Sequence, residues 1–207
     1  MSKELSYILQ TLFPSFLTNI YLSLRYQCFI HPSAKIYWPK NIKLAKGVSI
    51  GKGTVIMAQK HKAAITLDKN AIINDYCILN SKDGYITIGK DSSINHFSLI
   101  QSTRNNTVLI GKDVAIAPYT RIVPNHKYEG EERTRTIQAS TEIGDNVWIC
   151  AGVTIVVGTN IGKNSIIGAN SVVTRDIPDN IVAAGTPAKL IKTFKEYVQK
   201  EDSKESD

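Results

Sequence analysis

The sequence predicts an all-β solenoid, a parallel β-helix of hexapeptide repeats with a short helix at each end. Aliphatic residues recur at every sixth position: Leu44, Ile50, Ile56; Leu67, Ile73, Leu79; Ile88, Ile94, Ile100; Ile110, Ile116, Ile122; Ile143, Ile149, Ile155; Ile161, Ile167 and Val173. Two positions before each stands a small or β-branched residue, such as Val48, Thr54, Ala71, Cys77, Ser92 and Ser98. A helix requires recurrence at about 3.6 residues and a strand simple alternation, so a period of six with two inward positions fits short strands joined by corners. The triplets begin at Leu44, Leu67, Ile88, Ile110, Ile143 and Ile161. Only the last interval is a bare eighteen residues, so a coil is three hexapeptides and every excess residue enters after the third.

Taken in chain order, residues 1–29 form an N-terminal helical segment. Tyr7, Ile8, Leu9, Leu12, Phe13, Phe16, Leu17, Ile20, Tyr21 and Leu24 recur near helical spacing, while Gln10, Thr11, Ser15, Thr18 and Asn19 interrupt them and Pro14 bends or divides the helix. No run of about 18 apolar residues occurs and no signal-peptide cleavage pattern follows. The segment is expected to pack over the end of the solenoid. Its apolar face also fits an interfacial helix that brings the protein to a membrane surface.

Residues 30–186 form the β-helix. Its insertions, about 60–66, 82–87, 103–109 and the extended loop 125–142, leave from one corner and make a wall of loops along one edge. Two faces stay comparatively bare and invite self-association. Residues 187–207 end the chain as a C-terminal helix, TFKEYVQK, and a solvated tail, EDSKESD. Parallel crossovers are normally right-handed, and a six-residue period by itself does not overturn that rule.

Histidine, cysteine and charge narrow the chemistry. His126 opens the longest insertion, in a slot that elsewhere holds a small inward residue such as Thr120 or Ser98. An imidazole is too large and polar for that slot, so the coil gives way there; the residue is then a catalytic base or a solvated loop histidine. His31 and His61 read as solvated. Three widely separated cysteines, Cys28, Cys77 and Cys150, contain no CxxC pair. They argue against a disulfide framework or a zinc knuckle and for a reducing, cytoplasmic setting. The formal charge of +7 asks for an anionic partner, of which nucleic acid, acidic lipid and a phosphorylated cofactor are the classes.

The run from Ile143 to Lys192, with DNVWI, VVTRDIP and AAGTPAKLIK, resembles the C-terminal half of the hexapeptide-repeat acetyltransferases, the galactoside, maltose and capsule or O-antigen sugar O-acetyltransferases. The likeness covers about residues 30–192 as repeat. It implies a left-handed coil, a homotrimer, and acetyl-CoA in the groove between subunits. His126, in NHKY, matches the family's general base, which takes the proton from a sugar hydroxyl as it attacks the thioester and passes it to the leaving thiolate. An imidazole with an ordinary pKa near ~6.5 suits that task. A backbone N–H near Cys150 to Gly152 would serve the oxyanion.

The resemblance also implies the remaining site. Asn95, His96, Asn125 and Trp148 match positions at the acceptor and reacting groups. Ala151, Gly152 and Ala169 match the positions whose backbone meets the pantetheine arm, and Thr174 and Arg175 the loop at the adenine end. Lys189 and Lys192 match basic residues at the nucleotide phosphate, with lysine's point charge in place of arginine's fork. These cations answer the charge, so nucleic acid drops out as a partner, and no metal is expected. The acceptor is expected to be a sugar of a bacterial surface polysaccharide. An amine of a nucleotide sugar or an antibiotic stays open, as do a γ-type carbonic anhydrase, which needs three histidines on zinc, and a non-catalytic scaffold.

Overall fold

The structure, a computed structural model, describes residues 15–59, 64–103, 106–123, 126–129, 132–136 and 140–204. It is a β-helix of three sheets with a helix at each end. Sheet A has nine strands, running from Phe29–Ile30 to Ile181–Ala184 and ending on Lys189–Thr193 as the ninth. Sheet B stacks seven, from Lys35–Tyr37 to Val172–Val173. Sheet C stacks five, from Ile42–Leu44 to Thr141–Ile143, and single bridges carry it on through Ile161 to Ile177. The coils pair with one another in parallel, and Lys189–Thr193 joins sheet A antiparallel.

The period of six decides what is inside. Every aliphatic residue of the six triplets is buried, as are the small residues two places before them. Where such a slot holds a hydroxyl, it ties one coil to the next. Ser92 Oγ donates to the Gly111 carbonyl at 2.7 Å and accepts from the Val114 N–H at 3.0 Å. Ser165 Oγ does the same with the Pro178 carbonyl at 2.9 Å and the Ile181 N–H at 3.1 Å. A methyl-sized residue there would bury an unsatisfied amide on the next coil. Burial pushes the Cys77 thiol, in one of these slots, up to about 11, so it is a packing residue and not a nucleophile.

The C-to-A corners each turn through left-handed backbone at one residue. These are Gly47, Asn70, Asp91, Asp113, Asn146, Asn164 and Asn180. Asn and Asp tolerate positive φ better than other side chains, and here they also link coils. Asn146 Nδ2 donates to Asn164 Oδ1 at 3.2 Å and Asn164 Nδ2 to Asn180 Oδ1 at 3.0 Å. Asn164→Ala removes two such bonds and leaves alanine at φ 54, so urea unfolding should register a loss of about 1–2 kcal/mol. Asn164→Gly should recover the backbone share; equal losses in the two variants would refute the strain component. Backbones also approach closely at the start of this corner, where a Cβ on Gly144 would lie 2.6 Å from the Lys163 nitrogen.

The insertions all leave between sheets B and C, as the spacing requires. The longest is more than a loop: His126–Glu129 and Glu132–Thr136 form an antiparallel hairpin before the chain re-enters sheet C at Thr141. The terminus also departs from expectation. Lys189–Thr193 is a strand, and the helix α2 (Phe194–Lys204) runs through EDSK, which the sequence assigned to a solvated tail. A reciprocal cap starts α2: the Thr193 N–H donates to Glu196 Oε2 at 2.7 Å and the Glu196 N–H to Thr193 Oγ1 at 3.3 Å. The first of these bonds holds the Glu196 carboxyl below its usual range. At the other end α1 (Ser15–Tyr26) covers the first coil, with Leu22 buried and Asn19 Nδ2 donating to the His31 and Ala34 carbonyls. Residues 1–14, including the apolar run before Pro14, lie outside the described residues.

Candidate active site

Topology gathers the expected site residues onto two different edges of the prism. The A-to-B corner carries Asn95 and His96 in one coil, Ala151 and Gly152 two coils on, and Ala169 in the next. Trp148 lies on the outward row of sheet A just before that corner, 46% exposed between Ala115 and Ile166. Lys189 follows the same corner in the last coil, opposite Ala184, and is exposed. The B-to-C corner carries the hairpin that begins at His126 and, in the last full coil, Thr174 and Arg175, both exposed. In one chain the two edges lie at opposite ends of the sheet B strands.

Local hydrogen bonding separates structural from free groups. Asn95 takes part in the stacking: Nδ2 donates to the Ile116 carbonyl at 2.9 Å, and Oδ1 accepts from Asn74 Nδ2 at 2.8 Å. Its amide is a tie between coils, which leaves His96, half-buried beside it, as the freer of the two. Lys192 sets its Nζ 4.8 Å from the centroid of the Tyr197 ring, whereas Lys189 has no such partner among the described residues. Around the reacting groups, the Cys150 N–H donates to Ile167 and the Gly152 N–H to Pro118, which leaves the Ala151 N–H as the candidate oxyanion donor. Burial pushes the Cys150 thiol up, so it is mainly protonated and unsuited to a covalent acetyl intermediate. Asn125 lies outside the described residues.

One feature of the same corner escaped the sequence reading. Tyr76, Phe97 and Tyr119 occupy its left-handed position in successive coils and stack ring on ring. Each immediately precedes a small inward residue, Cys77, Ser98 or Thr120, so aligning the coils on those slots exposes the column.

Comparison with known proteins fits this geometry. Residues 140–175 match the family described as bacterial transferase hexapeptide (six repeats). The chain is 31% identical over 175 residues to the putative lipopolysaccharide biosynthesis O-acetyl transferase WbbJ of Escherichia coli K12, covering 83% of this chain and 78% of that one. The chain belongs to the hexapeptide-repeat, left-handed β-helix acetyltransferases. Within this acetyltransferase family it is 48% identical over 89 residues to the galactoside O-acetyltransferase of E. coli K12, 42% of this chain and 44% of that protein. That match spans under half the relative's length. The fold alone is shared with AntD, an N-acyltransferase from Bacillus cereus solved with dTDP and 3-hydroxybutyryl-CoA, at TM-score 0.61 and 20% identity over 94% of this chain and 98% of that one. Among the described residues no group of three or more His, Cys, Asp or Glu side chains could hold a metal ion. No described helix is long and apolar enough to cross a membrane.

Proposed function

We propose that this chain is an acetyl-CoA-dependent O-acetyltransferase that modifies a sugar hydroxyl in the assembly of a bacterial surface polysaccharide. The observation that carries this reading is the match to the putative lipopolysaccharide biosynthesis O-acetyl transferase WbbJ across 83% of the chain. His126 acts as general base: it takes the hydroxyl proton as the oxygen attacks the thioester carbonyl, and the proton leaves with the CoA thiol. The Ala151 N–H stabilises the oxyanion between those steps. Transfer is direct, because no described cysteine is placed and ionised as a nucleophile.

The two-edge arrangement favours a site shared between copies. If the A-to-B edge of one subunit lies beside the B-to-C edge of the next, His126, Thr174 and Arg175 meet Ala151, Ala169 and Lys189. A homotrimer closes three such sites. Incubation with acetyl-CoA and a panel of sugars and glycans, following thiol release and acetylated product, tests the function; release without an acetylated sugar would remove the assigned acceptor class.

Helix α1 supports peripheral contact with the cytoplasmic membrane surface. Phe16, Leu17, Ile20, Tyr21 and Leu24 are exposed on it, next to Arg25, while Asn19 and Leu22 fix it to the first coil. Replacing Phe16 and Leu24 by Asp should abolish sedimentation with phosphatidylglycerol vesicles and leave acetylation of a soluble sugar intact. Equal sedimentation of the variant would dismiss the lipid role.

A further inference from the structure

The aromatic column on the A-to-B corner has an open end, and that end lies at the proposed transfer centre. The Tyr76 and Phe97 rings stack with centroids 5.4 Å apart and planes 3° apart, and Phe97 and Tyr119 with 5.2 Å and 11°. Each sits at positive φ, 58°, 61° and 63°. An ordinary side chain is strained there, and ring stacking offsets that strain only in part. Three aromatics in succession at this place are therefore not the arrangement that stability alone selects.

The column leans toward the N-terminus. A Cβ on Gly53 would lie 2.6 Å from the Tyr76 ring, so that ring covers the first corner, and Phe97 and Tyr119 follow in turn. The next coil supplies Gly152, which has no side chain to cover the last ring. One coil further, Asn170 folds its amide over Gly152, its Oδ1 2.3 Å from where a Cβ would stand. Tyr119 accordingly keeps one ring face uncovered by its own corner, and exposure rises along the column from 44% through 49% to 60%. Ala151 is the neighbour of Gly152 on that corner, and Ala117 and Pro118 precede Tyr119.

The chemistry of this place is specific. An aromatic face carries negative quadrupole charge and attracts the polarised C–H groups of a pyranose face, while a ring edge offers apolar contact. The corner residues beside Phe97 and Tyr119 are Asn95, His96, Ala117 and Pro118, all without formal charge; the carboxylate on this corner is Asp75, beside Tyr76 at the far end of the column, where Oδ1 accepts from the Lys52 N–H at 2.7 Å. An uncharged saccharide fits such a surface better than a nucleotide or an acidic peptide does. We infer that Tyr119 is the platform on which the acceptor's sugar ring packs for transfer, and that Phe97 and Tyr76 continue the contact to further sugar residues of an oligomeric acceptor. The inference rests on the proposed function and adds to it the acceptor's length and the side chain that selects it.

Steady-state kinetics separates the two. The probes are acetyl-CoA with the methyl glycosides of galactose, glucose, N-acetylglucosamine and rhamnose, and the tetrasaccharide of each. Tyr119→Asn keeps a residue that Asn170 shows to be compatible with this corner's backbone. It should raise the acceptor KM about three- to tenfold, with KM for acetyl-CoA unchanged, and Tyr119→Phe should restore the wild-type value. Phe97→Asn should weaken the tetrasaccharide and spare the monosaccharide. If the wild-type protein acetylates none of these sugars, the proposed function fails and the inference falls with it. If it acetylates one and Tyr119→Asn leaves the acceptor KM unchanged, or raises that of acetyl-CoA instead, the inference alone fails. Dissociation of the Phe97→Asn protein into monomers on gel filtration would reassign the column to contact between copies and overturn it as well.

Discussion

His126→Ala should lower kcat for acetyl transfer by about 10²- to 10⁴-fold, the range that general-base assistance typically supplies. KM for acetyl-CoA should change little, because the residues assigned to the cofactor lie on the corners of other coils. An ordinary imidazole titrates near ~6.5 and is a base only when neutral. The wild-type rate should therefore fall as acid protonates the base, and the residual activity of the variant should lack this limb. The proposal that copies share the site adds a sharper test. Subunits carrying His126→Ala, mixed under exchange with subunits carrying Ala151→Trp to block the other edge, should regain activity that neither possesses alone. Undiminished turnover by His126→Ala would remove the histidine from the mechanism, and a failure of complementation between exchanging subunits would place the whole site within one chain.

The second large effect is on stability and comes from adjacent residues of one strand. Ile73 is wholly buried, whereas Ile72 beside it is 40% exposed on the outer row of sheet A. Ile73→Ala should cost about 2–5 kcal/mol in urea unfolding, since it removes apolar volume from a stacked layer that can collapse only by distorting the coils above and below. Ile72→Ala faces outward and should cost about 0.5 kcal/mol or less. Comparable losses at the two positions would mean that the outer face of sheet A is buried against another copy.

Much of this molecule was legible before any coordinates, and the reason is local. In a coil of hexapeptides, whether a side chain points inward depends only on its place within six residues. Leu44, Cys77, Ser98 and Ile116 could thus be assigned from spacing alone, and the corner from which the insertions leave followed from counting between triplets. The departures are equally physical. The hairpin from His126 to Thr136 and the strand Lys189–Thr193 obey no six-residue rule, since each pairs antiparallel by a chain reversal and not by the parallel coil-to-coil register. The continuation of α2 through EDSK was hidden by its polarity, although the Thr193 to Glu196 cap was available as a signal.

By itself, the sequence determined the solenoid, its inward rows, the exit corner of its loops and its family likeness, because each is written in short-range spacing or in contiguous motifs. Only the tertiary structure decided which residues share an edge. Stacking brings Tyr76, Phe97 and Tyr119 into one column, commits the Asn95 amide to its neighbours, and sets His126 and Ala151 on opposite sides of sheet B. Such neighbours are set by the accumulated turning of whole coils and their insertions, a quantity that no single repeat contains.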